Sequence, residues 1–289
     1  MSLSQEFEAV DAHHHLWDLS QLTYEWLEHP DPFLDGVLGD YRPLRVSFLA
    51  EDLLSLYTKY GIKKSVHVEA ACSDPRGETV WLMETADLSG IPDAIVVQCD
   101  LTRTVAPAEL EWQASHSRVR GVRMQGHPEE LVGAEFTRAF RTLTDLGLSY
   151  EFNASPPRLK EVVDLASSFP DARIVVGHAG APLQRDPDYF SLWRQDLRRA
   201  AECENVWVKL SGLGMVDHSW SVDSIRPWVL EAIDEFGPGR CMFGTNWPVD
   251  SLYSDMERLI VTYRELLQDL SDHEQASIFK LNAETFYRI

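Results

Sequence analysis

Short β-branched or apolar runs recur along the chain, each followed by apolar positions three and four apart; this alternation predicts βα units around a parallel sheet. The predicted strands are AVDAHHH (9–15), SVHVEA (65–70), AIVVQC (94–99), VRGVRMQ (119–125), LSYEFN (148–153), ARIVVGH (172–178), VWVKLS (206–211) and RCMFGTN (240–246). Helical patterns occupy 78–88, 107–117, 134–146, 156–168, 187–203, 223–236 and 255–269. Leu53, Leu56, Tyr57 and Tyr60 form one more, ended by Gly61 at the position after the helix. Asp223 suits an N-cap, with Pro227 early enough to be tolerated. The run Ser271 to Glu274 matches a capping box that opens a last helix. Eight strands alternating with helices predict an α/β fold of the closed (β/α)8 TIM-barrel type. A doubly wound open sheet would lead with a Gly-rich phosphate turn, and none is found.

The wide gap between the first two strands, residues 16–46, carries Trp17, Tyr24, Trp26, His29, Pro30, Pro32 and Tyr41. A long aromatic-rich loop of this kind is expected over the barrel mouth, where it covers a substrate pocket or packs against the rim or another subunit. No composition break or Ser/Gly linker interrupts the chain, so residues 1–289 read as one domain.

Composition narrows the function classes. Acidic residues outnumber basic ones 46 to 26, and a net charge of −20 disfavours a phosphate backbone, so nucleic acid is not an expected partner. No apolar run reaches the length that spans a bilayer, and Met1 to Val10 lacks the pattern of a secretory leader. A cytoplasmic location without membrane attachment is expected. Cys72, Cys99, Cys203 and Cys241 are widely spaced without C-x-x-C pairs, the pattern of reduced thiols.

Strand parity selects the chemistry. With His13 and His15 pointing inward, the polar positions of the other runs supply His67 and Glu69, Gln98, Arg123 and Gln125, Glu151 and Asn153, His178, Lys209 and Ser211, and Asn246. Their apolar partners, including Val66, Val68, Val97, Val122 and Val175, would then face the helices. A His-x-His pair sets two imidazoles on one face, spaced for one metal ion or one substrate oxygen. Arg123 and Lys209 either receive an anionic substrate or pair internally with Glu69 or Glu151. Glu69, Gln98 and Trp17 complete the expected substrate contacts, and His14, of opposite parity, is structural.

DAHHHLWD, GHAGAP, NVWVKLSGLG, RCMFGTNWPVD and NAETFYRI, in that order from Val10 to Ile289, resemble the amidohydrolase-related TIM-barrel hydrolases, in particular the branch with sugar-acid and dicarboxylate lactonases. The resemblance implies a hydrolase that opens a lactone by water attack on a carbonyl polarised by histidines, in carbohydrate metabolism or aromatic degradation. It implies a centre at His13, His15, His178 and position 246, holding one divalent ion such as zinc or polarising the carbonyl without metal. The family has an aspartate at position 246, as general base and metal ligand; Asn246 can be neither at ordinary pH. Water activation is then expected from Asp250, four residues on, or from Glu69 or Glu151. Asn153 and Glu151 on the fifth strand, where binuclear relatives have histidine, argue against two metals. The implied substrate is small and anionic or polyhydroxylated, and a homodimer is compatible with the fold. Other readings are hydrolysis of another bond, decarboxylation of a small carboxylate, or a binding barrel that lost catalysis with the strand-eight base.

Overall fold

A computed structural model describes residues 7–125, 133–153 and 155–289. Its eight strands are β1 (Ala9–His14), β2 (Ile62–Val68), β3 (Ala94–Gln98), β4 (Val119–Arg123), β5 (Ser149–Phe152), β6 (Arg173–Val176), β7 (Val206–Leu210) and β8 (Cys241–Phe243). Each pairs in parallel with the next, in the order β1 to β8. The sheet closes beyond β8: Asn246 N–H donates to His13 O at 2.7 Å and His15 N–H to Trp247 O at 2.8 Å. All eight predicted strands are present, and the fold is the expected TIM barrel.

The helices are α1 (Glu25–Glu28), α2 (Pro32–Leu38), α3 (Ala50–Tyr60), α4 (Pro75–Ser89), α5 (Ala106–Ala114), α6 (Ala134–Asp145), α7 (Glu161–Ser168), α8 (Pro187–Ala201), α9 (Val222–Phe236), α10 (Met256–Leu266), α11 (Asp272–Ala276) and α12 (Asn282–Tyr287). Gly61 ends α3 in the left-handed region, and Ser271 and Glu274 form the capping box of α11. The cap of α9 is Ser221 rather than Asp223, which lies inside the first turn, where its charge favours the helix N-terminus. Among the described residues no helix is long and apolar enough to cross a membrane.

Two buried layers divide the strand residues. Ile95, Val97, Val122, Tyr150, Phe152, Ile174, Val176, Val208, Leu210 and Phe243 pack outward against the helices. Val10, Ala12, Val66, Val68, Ala94, Val96, Val175 and Met242 form a separate cluster inside the barrel, joined by Phe286 and Tyr287 of α12. This corrects the parity reading: Val66, Val68 and Val175 line the interior. The imidazole of His67 points outward, between His14 and the main chain: its Nδ1 accepts Leu16 N–H at 3.2 Å, and its ring lies 5.6 Å from that of His14. The cause is a bulge in β1 between Asp11 and His14, opposite Ser65 and His67, which shifts the alternation of one strand against its neighbour.

The segment after β1 contains α1 and α2 and has its own core. Trp17, Tyr24, Leu27, Leu38, Tyr41 and Leu44 are buried with Ala70 and Cys72, which follow β2, and Val249, which follows β8. Trp17 donates to Val46 O at 2.6 Å and Trp26 to Ala70 O at 2.8 Å. Trp17 is thus a packing residue of this segment, 1% exposed, rather than a wall of the histidine cluster. All four cysteines are free thiols.

Candidate active site

His13 and His15 leave β1 on the interior side because of the bulge. His178 arrives by another route: β6 ends at Val176, and residues 177–180 turn tightly, with His178 itself at φ +52°. A β-strand would have aimed this side chain outward; the left-handed turn swings it in, at a backbone cost of about 1–3 kcal/mol. The His13 ring centroid is then 4.4 Å from that of His178 and 5.0 Å from that of His15. Gly212, at φ +63°, makes room: a Cβ there would lie 2.4 Å from His178 Nδ1. Asn246 also has positive φ, +55°, which asparagine tolerates better than most residues.

Two of the three rings are held at one nitrogen by a hydrogen bond. His15 Nδ1 donates to Val68 O at 2.7 Å, which leaves Nε2 a lone pair. His178 Nδ1 meets Ser211 Oγ at 3.0 Å. His13 Nδ1 lies 3.0 Å from Glu151 Oε1, off the line of a good hydrogen bond, and neither atom has another partner. His13 Nε2 is buried without a partner. Burial first, then the nearby charges, hold all three rings neutral: His15 is pushed down to about 3, and His13 and His178 lie well below the usual imidazole range.

Both cations are paired internally. Lys209 Nζ meets Glu151 Oε2 at 2.5 Å, is wholly buried, and stands 5.3 Å from the Tyr287 ring centroid. It is therefore not placed for substrate. Arg123 binds the Glu69 carboxylate through Nε and the Glu69 carbonyl through Nη2 at 2.6 Å. Gln125 donates to the same carboxylate, whose other oxygen accepts Ala71 N–H at 2.8 Å. Glu69 is thus consumed by these bonds, while Arg123 retains a little exposure. Gln98 pairs in register with Arg123 and is half-buried.

Asp250 lies in a short turn after β8, 2% exposed, and accepts Asn246 Nδ2 at 2.9 Å. Burial raises its carboxyl to about 7. It reaches the histidines through the Asn246 carboxamide, which lies against His15. Two surface grooves, about 410 Å³ beside Tyr41 and Arg45 and about 350 Å³ beside Arg76 and Trp81, are not lined by any histidine of the cluster.

Two contributors escaped the sequence reading. Asp11 is fully buried and clamps β1 to β8: Oδ1 accepts Thr245 N–H at 2.8 Å and His13 N–H at 3.1 Å, and Oδ2 accepts the Tyr57 hydroxyl at 2.7 Å. Its place two residues before His13 was the available signal. Tyr287, under Lys209, gave no signal beyond being an aromatic in a terminal helix.

A family model described as "Amidohydrolase" matches residues 10–289. An uncharacterized protein, y4mH, of Sinorhizobium fredii is 33% identical over 97% of this chain and 98% of its own. The L-fucono-1,5-lactonase of Burkholderia ambifaria is 27% identical over 97% and 95%. A crystal structure of an amidohydrolase from Burkholderia multivorans with bound zinc superposes with a TM-score of 0.84 at 25% identity, covering 98% of this chain and all of that one.

The donors here do not fit a divalent cation. Position 246 is an amide, Glu151 is tied to Lys209, Glu69 to Arg123, and both cations raise the potential at the imidazoles. Among the described residues no three His, Cys, Asp or Glu side chains are arranged to hold a metal ion. With its motifs, barrel and family match in agreement, this chain belongs to the amidohydrolase family and is a hydrolase.

Proposed function

We propose that the enzyme opens a small lactone bearing a carboxylate or several hydroxyls, and does so with imidazoles rather than a metal. The packing of three neutral, buried histidines, with the His13 ring 4.4 Å from that of His178 and 5.0 Å from that of His15, carries this reading, supported by the similarity to a lactonase over nearly the whole chain. His178 is the natural electrophile in the tautomer whose Nδ1 accepts from the Ser211 hydroxyl 3.0 Å away: the proton is then on Nε2, from which it donates to the lactone carbonyl and to the oxyanion that forms on water attack. His15 cannot do this while neutral, because Val68 O fixes its proton on Nδ1. Arg123, oriented by Glu69 and set beside Gln98, anchors the carboxylate or a hydroxyl. Asp250, shielded by Asn246, tunes this amide and leaves proton abstraction to a group nearer the rings.

A pH-indicator screen over sugar-acid lactones, dicarboxylate lactones, simple esters and amides tests the reading, run on protein treated with chelator and checked by metal analysis. Turnover of a lactone by metal-free protein is expected. Turnover restricted to amides, or a lactonase activity abolished by the chelator and restored by zinc, overturns it. Activity only after Asn246→Asp would favour a degenerate binding barrel.

A further inference from the structure

The polar groups inside the barrel line up along its axis. Tyr287 of α12 lies with the apolar interior residues and is 0% exposed. Lys209 Nζ stands 5.3 Å from its ring centroid, within cation–π range, and binds Glu151 Oε2 at 2.5 Å. The other oxygen of Glu151 approaches His13 Nδ1 to 3.0 Å, a charge contact outside good hydrogen-bond geometry, and neither atom has a hydrogen-bond partner elsewhere. The far nitrogen of His13 is buried, without a partner, beside His178.

We propose that Glu151, Lys209 and Tyr287 form a positioning column that fixes the proton of His13 on Nδ1, making Nε2 the base that takes a proton from the attacking water. A carboxylate beside Nδ1 selects the Nδ1–H tautomer and stabilises the imidazolium formed when Nε2 accepts the proton, the same division of labour as in His–carboxylate pairs generally. Lys209 neutralises Glu151 at depth, and the Tyr287 face supports the ammonium where water cannot. In the step, a water O–H bond breaks, its proton passes to His13 Nε2, and the oxygen bonds to the lactone carbonyl carbon. The carbonyl electron pair moves to the oxygen held by His178. Collapse of this intermediate breaks the ring C–O bond, and the Nε2 proton leaves with the departing alkoxide. The column thus supplies the base that the missing strand-eight aspartate does not.

This inference rests on the lactonase reading for its chemistry but not for its test. Spectra of ¹⁵N-histidine-labelled full-length protein, with the His13 signal assigned by comparison with His13→Gln, are expected to show Nδ1 protonated and Nε2 bare near neutral pH. Glu151→Gln should shift that signal toward the other tautomer and lower kcat about 100-fold or more at nearly unchanged KM, the scale of a lost general base. If Glu151→Gln alone fails to fold because Lys209 loses its counter-charge, the double variant Glu151→Gln/Lys209→Met carries the same readout. A His13 signal already bare at Nδ1 in the natural protein, or unaltered in both variants, overturns the column. A Glu151-dependent tautomer in protein that hydrolyses no lactone upholds the column and rejects the substrate.

Discussion

The two ends of the same barrel are built from different chemistry. Toward the strand N-termini the interior is Val10, Val66 and Ala94, closed from below by Phe286 and Tyr287, with Val175 and Met242 in register with Glu151 and Lys209 above them. Toward the strand C-termini it is His13, His15, Glu151, Lys209, Arg123 and Asn246, with His178 folded in by a left-handed turn. Both ends are buried, so burial alone does not separate them. At the lower end, buried area converts directly into stability; at the upper end, every buried polar group needs a partner, and the strained and unpartnered atoms mark the chemistry.

This contrast can be broken at either end. The largest expected effect is from Lys209→Met, which leaves Glu151 buried without its counter-charge. A loss of about 3–5 kcal/mol in denaturant unfolding is expected, largely recovered when Glu151→Gln is added. A loss under about 1 kcal/mol would mean that the pair is not desolvated. At the lower end, Val66→Ala should cost about 1–3 kcal/mol by opening a cavity, while kcat and KM of the folded fraction hold steady. An altered KM would place the lower layer in contact with the site.

Asp250 gives a smaller, pH-dependent effect. Burial raises its carboxyl from 3.8 to about 7, so between these values the folded chain keeps a proton that the unfolded chain has released. The stability from this group is full below about pH 4 and is lost as the pH rises to about 7. Asp250→Asn, compared with the natural protein in urea at pH 5 and pH 8, should therefore gain relative stability at the higher pH. Equal differences at both pH values would show that the carboxyl ionises freely in the folded state.

The barrel was legible in the sequence because each βα unit repeats a local pattern, and that pattern found all eight strands. The inward His13 and His15 were the premise of parity and owe their direction to the bulge in β1, whereas Arg123 followed from parity. His67, Val66 and Val68 did not, since a one-residue bulge in β1 resets which side its neighbour presents, and nothing in either strand alone records that offset. His178 reached the expected place for a different reason, a backbone turn rather than strand alternation. Asp11, Tyr287 and the pairing of Lys209 with Glu151 were invisible because their partners lie on strands and helices far apart in the chain.

The claim that His178 polarises the reacting carbonyl is tested most directly by comparing His178→Ala with the natural protein on the best lactone of the screen, both metal-free and matched for thermal unfolding. A fall in kcat of roughly 100-fold or more is predicted, the usual scale for one lost oxyanion donor. Hydrolysis at the natural rate by the variant would contradict the account.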